Sequence, residues 1–165
     1  MTIKVAQSSC LWRRWQGVRG MKVYSIRGQG VLLVLYSLRE LAGACTKQEV
    51  LMFIQHASIY DITKHDLPPY ENQNEPRYHT LLSWARKDAV ELEWMLDTGE
   101  RDAWQLTRHG REVLERTILR FRRGELSVRK CYLWTPKFKK QIDPGYEPST
   151  EDSIRPEEVF DRLIA

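Results

Sequence analysis

Cysteine is scarce in this 165-residue chain, and long apolar runs are absent. The three cysteines, Cys10, Cys45 and Cys131, are odd in number and lie far apart, so they predict no disulfide framework and favour a reducing cytoplasm. The longest apolar run, 31–36, falls far short of the ~20 residues that a membrane helix needs. The basic segment 1–20 lacks the apolar centre and the cleavage site of an export signal. We therefore expect a cytoplasmic protein without membrane association, nucleoid-associated if it binds DNA.

Motifs for catalysis and for metal binding are also missing. The four histidines show no zinc-ligand spacing with each other or with cysteine. No Gly-x-Ser-x-Gly nucleophile elbow occurs, and the segment 27–30 lacks the lysine and the spacing of a phosphate-binding loop. Two acid pairs, at 61 and 66 and at 91 and 93, have no further groups converging on them. The sequence therefore predicts neither an enzyme nor a metal or cofactor site.

Charge is strongly segregated along the chain, although its net value is only +4. Residues 1–30 carry a net charge of +6 and residues 101–140 carry +8, whereas residues 31–100 and 141–165 each carry −5. Two basic segments could form one surface that attracts a polyanion through counterion release. A solvated basic helix neutralised by the acidic tail is the alternative, and charge alone does not separate the two interpretations.

Three helices are predicted in the first half of the chain, after an extended lead-in at 21–28. The first begins at Gly30, where apolar residues follow helical spacing, and stops at Gly43. The second begins at the capping box formed by Thr46 and Glu49 and fades near His56. An irregular connection at 57–76 precedes a third helix from about 76 to 90. Its apolar stripe comprises Tyr78, Leu81, Leu82 and Ala85.

A β-hairpin and a fourth helix are predicted next. Apolar residues alternate at 92, 94 and 96, turn residues follow at 97–102, and a second short strand covers 103–106. Thr107 is suited to cap a helix that Gly124 ends. Beyond Gly124, large apolar residues occupy even-numbered positions, which predicts a strand that ends at Pro136. These residues are Leu126, Val128, Tyr132 and Trp134. Pro156 is placed in the first turn of a last short helix, whose apolar face for docking comprises Val159, Phe160, Leu163 and Ile164.

This order is that of a winged helix-turn-helix. The expected fold class is α+β, mainly α, with a three-helix core, a β-hairpin wing and a following helix. We expect a basic N-terminal arm at 1–29, a winged-helix domain at 30–123, and a C-terminal extension with a short terminal helix at 124–165. Trp84, Trp94 and Trp104 lie in amphipathic elements and are interpreted as core. Trp12 and Trp15, beside arginines, suit an extended arm on nucleic acid or on a partner.

A family resemblance rests on residues 83–114. In this stretch Trp84, Ala85 and Arg86 are followed by a hairpin and then by Leu106-Thr107-x-x-Gly110. The stretch resembles the N-terminal winged-helix domain of Mrr-type restriction proteins. That resemblance implies a DNA-reading domain. The nuclease motif of that family needs Glu or Gln, one spacer and then Lys, and this chain contains no such triplet. A nuclease of that type is therefore excluded.

The candidate DNA-binding residues lie on three elements. A rigid helical core presents one helix to the major groove, and a wing reaches the backbone or the minor groove. The third helix carries short polar and basic side chains on its outer arc, the wing carries one arginine, and the next helix begins with two more. The predicted contacts are Arg77, His79, Thr80, Ser83, Arg86 and Lys87, then Arg101, then Arg108 and Arg111.

The expected function is non-catalytic binding of double-stranded DNA, as a transcriptional regulator or as the DNA-reading component of a restriction or defence system. The alternative is a winged-helix protein-interaction module, an adaptor or assembly subunit that does not bind DNA. The acidic blocks at 88–102 and 143–161 are the observation behind this alternative. We also expect two protein partners. The chain could form a homodimer through the first helix or through 156–165, and the last helix could instead bind another protein.

Overall fold

The chain folds mainly as α-helix. The computed structural model describes residues 23–99 and 103–165. Within these ranges the helices are α1 (Ile26–Leu41), α2 (Lys47–Ala57), α3 (Arg77–Glu91), α4 (Arg108–Arg122), α5 (Pro136–Ile142) and α6 (Pro156–Ile164), with a short 3₁₀ turn at Val128–Lys130. The predicted helix-rich class is therefore confirmed. Most of the expected arm at 1–29, with Trp12 and Trp15, lies outside the described residues.

Side-chain caps fix several helix starts. Thr46 accepts a hydrogen bond from the Glu49 amide at 3.1 Å while Glu49 reaches back to the Thr46 amide, which confirms the predicted capping box. Thr107 accepts from the amide of Gly110 at 2.9 Å and thereby caps α4, as predicted. Pro156 occupies the first turn of α6, where its missing amide hydrogen leaves no unsatisfied carbonyl.

The first helix begins earlier than predicted. Ser25 caps α1 by accepting a hydrogen bond from the Gly28 amide at 3.0 Å, so Ile26 is already helical. The extended lead-in predicted at 21–28 is therefore wrong over its last residues, and α1 starts inside the range expected for the arm. The apolar spacing that marks the rest of α1 is absent at Gly28, Gln29 and Gly30. All three are nevertheless buried.

Helix α1 forms the centre of the core. Its residues 28–35 are all buried, as expected of a helix covered on every side. Its main packing partner is α3, and the two helices approach closely at Gly30. A Cβ added to Gly30 would lie 3.3 Å from the Cβ of Ala85. A larger residue at position 30 would therefore push α1 and α3 apart.

One antiparallel bridge lies within the predicted hairpin, and a second ties the hairpin's last segment to residue 45. Cys45 and Trp104 exchange backbone hydrogen bonds of 2.9 and 2.8 Å, and Met95 pairs with Leu106. The amide of Leu96 donates to the carbonyl of Gln105 at 2.9 Å. In the parts of this region that the structure describes, these are isolated bridges rather than continuous strands. Pairing is therefore found at the base of the predicted hairpin, whose tip at 100–102 lies outside the described residues.

The segment after α4 is part of the same core. The strand predicted over 126–134 is wrong, because the chain instead makes the 3₁₀ turn and continues to α5, which carries the basic KFKK cluster. The burial does not follow the common parity, because Cys131 and Leu133 are buried together with Leu126, Val128 and Trp134, whereas Tyr132 is only partly buried. Gln29 holds the segment in place: its Oε1 accepts from the Leu133 amide at 2.8 Å, and its carbonyl accepts from Trp134 Nε1 at 3.3 Å.

The tryptophans and the last helix differ from the expected core pattern. Trp94 and Trp104 are fully buried, as predicted, but Trp84 is 42% exposed. The core role expected for Trp84 is therefore wrong, because its neighbour Ala85 faces α1 instead. The apolar face of α6 is also exposed, with Leu163 80% accessible, and does not dock on the rest of the described chain.

Candidate nucleic-acid interface

Helix α3 divides into a buried and an accessible face. Its buried residues are Tyr78, Thr80, Leu81, Leu82, Ala85 and Ala89. The predicted apolar stripe is therefore confirmed. Since the stripe packs toward α1, the remaining arc faces the connection between α2 and α3 and solvent. That arc carries most of the predicted DNA-binding residues.

A polar cleft of about 740 Å³ lies along this arc. One wall is α3, and the other is the loop at 70–75. The cleft brings together three predicted site residues, Thr80, Ser83 and Arg86. It also includes Lys47 and Trp104, to which the sequence assigned no such role. Three of the six predicted residues of α3 therefore share one concave surface with a loop that sequence reasoning left without a function.

An aromatic stack joins the loop to α3. The rings of Tyr70 and Trp84 have centroids 5.6 Å apart and planes inclined by 26°. Arg77, a predicted site residue, lies over Tyr70 at 5.0 Å, and Arg27 lies over Trp84 at 5.8 Å. Arg27 also pairs with Asp88 at 2.9 Å. The result is a four-membered array of cation, ring, ring and cation across the accessible face of the helix.

An ion pair fixes the far end of the loop. Lys47 Nζ lies 2.7 and 2.9 Å from the two carboxylate oxygens of Glu75. Backbone pairing between Pro69 and Pro76 closes the base of the loop, and the Arg77 amide donates to the carbonyl of Pro68 at 3.2 Å. The loop is thereby held over α3 at its base, at Tyr70 and at Glu75.

Several polar atoms on α3 are buried and unsatisfied. Thr80 Oγ1, Arg77 Nε and Arg86 Nε have no hydrogen-bond partner in the described part of the chain. Leaving such a group unpaired costs roughly 1–3 kcal/mol. Arg86 lies over the ring of Trp104 at 5.9 Å, which orients its guanidinium without satisfying Nε. Ser83 differs, because its hydroxyl donates to the carbonyl of His79 at 3.0 Å.

His79 is partly buried beside the loop anchor. Burial lowers the pKa of His79 below its usual range; Glu75 opposes this shift and Lys47 reinforces it. The ring also meets Tyr78 edge-on, with centroids 4.3 Å apart. A neutral imidazole near pH 7 offers one donor and one acceptor rather than a positive charge.

The other predicted contacts lie outside the cleft. Lys87, Arg108 and Arg111 are exposed and do not line it. Arg108 makes an i,i+4 pair with Glu112 at 3.6 Å, but its side chain is 95% exposed, so this pair contributes little. Arg101 lies outside the described residues.

Among the described residues, no group of three or more His, Cys, Asp or Glu side chains is placed to hold a metal ion, and Cys45 and Cys131 are buried free thiols. No helix within 23–99 or 103–165 has the length and apolar character to cross a membrane. Comparisons of the chain with protein-family models, curated proteins and solved structures find no match.

Proposed function

We propose that the chain binds double-stranded DNA without catalysis, with α3 as the helix that enters the major groove. The observation that carries this proposal is the partly exposed arc of α3, which places Ser83 and the cation Arg86 along one cleft and the cation Lys87 in solvent. These hydroxyl and cationic side chains are hydrogen-bond donors, and DNA supplies matching acceptors in its phosphate oxygens and base edges. A transcriptional regulator or the DNA-reading part of a defence system would use such a face.

The order of the elements supports a winged-helix interpretation. Helix α1 leads to the Cys45 bridge, α2 and α3 follow, and the Met95–Leu106 pairing then returns the chain to α4. The bridge between Cys45 and Trp104 ties the paired segments to the start of α2. In a winged helix such a base carries the wing, for which the sequence predicts Arg101, outside the described residues, as the DNA contact. Contacts from Arg101, Arg108 and Arg111 to phosphates would then set the register of α3.

Arg86 is the central residue of this proposal. It lines the cleft, its Nε is unsatisfied, and Trp104 holds its guanidinium in place. A planar guanidinium donates two parallel hydrogen bonds to the O6 and N7 of guanine, the base-edge contact that suits this position. Arg77 offers a second such group above Tyr70.

The test is fluorescence anisotropy with a random-sequence duplex across a salt series. We expect saturable binding that weakens steeply as salt rises, because each phosphate contact releases counterions. Arg86→Gln should weaken binding roughly tenfold or more, in line with ~1–3 kcal/mol for such a contact. Arg123→Gln is the matched control, since Arg123 is exposed at the end of α4 and lies outside the cleft. Absence of binding at low salt, or equal losses in both variants, would overturn the proposal.

One observation favours a second function, docking of a protein through α6. Phe160, Leu163 and Ile164 are 62, 80 and 69% exposed, which is unusual for adjacent large apolar residues on a helix. A homodimer would cover this face and would also match a palindromic DNA site. Sedimentation equilibrium of the wild type and of Leu163→Asp tests it. A dimer that the substitution dissociates supports α6 as the contact, whereas a wild-type monomer excludes the homodimer.

A further inference from the structure

The cleft along α3 has the size and the lining of a site for a planar polar ligand. Its volume, about 740 Å³, falls within the range of about 300–1,000 Å³ typical of small-molecule sites. The loop wall presents consecutive polar side chains, Glu71, Asn72, Gln73, Asn74 and Glu75. Such a density of hydrogen-bonding groups is more than a groove for a phosphate backbone requires.

The amide side chains of the loop are free to bind a ligand. Asn72, Gln73 and Asn74 are exposed, and their amide groups make no hydrogen bond within the described ranges. Each amide carries both donors and an acceptor, which is the combination found on the edge of a nucleobase. Together with the buried, unpaired hydroxyl of Thr80, which is 8% exposed, they surround the cleft with complementary groups.

Charge decides which part of a nucleic acid suits the cleft. Lys47 and Arg86 contribute two positive charges to the lining, and Glu71 and Glu75 contribute two negative charges. Glu75 already binds Lys47, so the loop wall is neutral to acidic. A phosphate placed inside would face these carboxylates, whereas an uncharged base would not. The exposed cations Lys87, Arg108 and Arg111 lie outside the cleft.

The Tyr70–Trp84 stack supplies the aromatic surfaces. Its centroid separation of 5.6 Å and its inclination of 26° describe a loose stack rather than a tight one. Aromatic pairs remain attractive out to about 7 Å between centroids, so a modest movement of the loop is tolerated. Sandwiching a base between the two rings would exchange one stacking contact for two. The unpaired amides of the same loop would then meet the edge of that base.

We propose that this cleft receives a single unpaired nucleobase of bound DNA, between Tyr70 and Trp84 and against the 72–74 amides. This inference rests on the proposed DNA-binding function and adds to it the class of ligand that the cleft recognises. A base outside its helical stack exposes both faces and its pairing edge, which a stacked base does not. The protein therefore prefers DNA that contains an unpaired base.

The experiment compares two duplexes that are identical except for one extra, unpaired 2-aminopurine nucleotide. Stacking on protein aromatics is worth ~1–3 kcal/mol per base, so wild-type protein should bind the bulged duplex about tenfold more tightly. The fluorescence of 2-aminopurine should change on binding. Trp84→Leu should remove both the fluorescence change and the preference, measured as the ratio of the affinities for the two duplexes. Trp84 is 42% exposed, so we expect this variant to fold.

Two controls make the outcomes distinct. Leu119→Ala replaces another exposed apolar residue, outside the cleft, and should keep the full preference. Asn74→Asp should reduce the preference without loss of folding, because Asn74 is exposed. Equal wild-type affinity for the two duplexes, or a preference that survives Trp84→Leu, overturns the base-binding inference alone. Absence of binding to either duplex overturns the proposed DNA-binding function as well.

Discussion

Arg155, at the start of α6, and Asp66, in the connection between α2 and α3, form an ion pair of 2.9 Å in the interior of the protein. Their side chains are only 4 and 10% exposed. The same carboxylate accepts from the Tyr60 hydroxyl at 3.1 Å, and Arg155 also donates to the carbonyl of Asp61 at 2.6 Å. The ion pair therefore attaches the start of α6 to the connection that precedes α3, although the two residues are remote in sequence.

Removing one charge of this pair should destabilise the fold strongly. Arg155→Met leaves the Asp66 carboxylate buried without its partner, which lowers the free energy of unfolding by about 3–5 kcal/mol. The double variant Arg155→Met with Asp66→Asn should lose less than the sum of the two single variants, because no unpaired charge remains. Urea unfolding measures all three. Arg162→Met, at an exposed position of α6, is the control and should change stability by less than about 0.5 kcal/mol. Strict additivity would contradict this account.

Gly110 should tolerate no side chain. A Cβ at this position would overlap the backbone carbonyl of Trp94, which neither helix α4 nor the buried Trp94 can easily move away from. We expect Gly110→Ala to lower the free energy of unfolding by about 1–3 kcal/mol or more. The control Gly145→Ala meets only ordinary contact, with Asp143 Oδ1 3.5 Å from the added Cβ. Thermal unfolding of the two variants tests the difference, and similar melting temperatures would show that the close approach is unimportant.

Acidification should destabilise the protein through His79. Burial lowers the pKa of this histidine in the folded state below the ~6.5 of an unfolded chain. Between these two values the unfolded state binds more protons, so stability decreases as pH falls from about 6.5 toward the folded pKa and then becomes constant. Chemical unfolding across this pH range, compared with His79→Gln, isolates the contribution. A folded-state pKa at or above 6.5 by NMR titration would refute it.

Replacing the buried Lys139 should not harm the fold. Lys139 is 5% exposed, and burial lowers the pKa of its ammonium despite opposing effects led by Asp152. Its Nζ lies 5.6 Å from the centre of the Tyr146 ring, and it has no ion pair within the described residues. Lys139→Met keeps the apolar stem and removes the desolvated charge, so we expect unchanged or increased stability. Lys137→Met, on the exposed side of α5, is the reference in the same unfolding assay. A loss above about 1 kcal/mol would mean that the charge is compensated in the folded state.

Local signals explain which elements could be predicted from sequence. The capping box at Thr46 and the cap at Thr107 are decided by neighbours within one helical turn, so they appear in the structure as expected. The buried stripe of α3 follows from its periodicity alone. The region 126–134 could not be predicted in this way, because tertiary contacts bury its turn residues at both odd and even positions and no local period marks them. Burial of residues 28–30 in α1 is likewise a tertiary effect.

The residues of the candidate site also differ in whether a local sequence signal marks them. Thr80, Ser83 and Arg86 stand out because they interrupt the apolar pattern of a clear helix. Tyr70, Lys47 and Glu75 carry no comparable signal, since their proximity to α3 depends on the path of an irregular connection. The Pro68-Pro69 pair indicates a turn but not its direction. Trp84 was assigned to the core because size and apolarity do not show whether a helix position has a covering element.

The Tyr70–Trp84 stack has a consequence for the search along DNA that the proposed function would require. While the stack holds the loop over α3, the exposed cations Lys87, Arg108 and Arg111 remain accessible for weak contacts with any backbone. The protein would then move along non-specific DNA with the Tyr70–Trp84 stack intact. It would bind tightly only where contacts with the DNA release enough free energy to displace the loop. Speed of search and stringency of recognition would thereby reside in different parts of the chain, and each could evolve without the other.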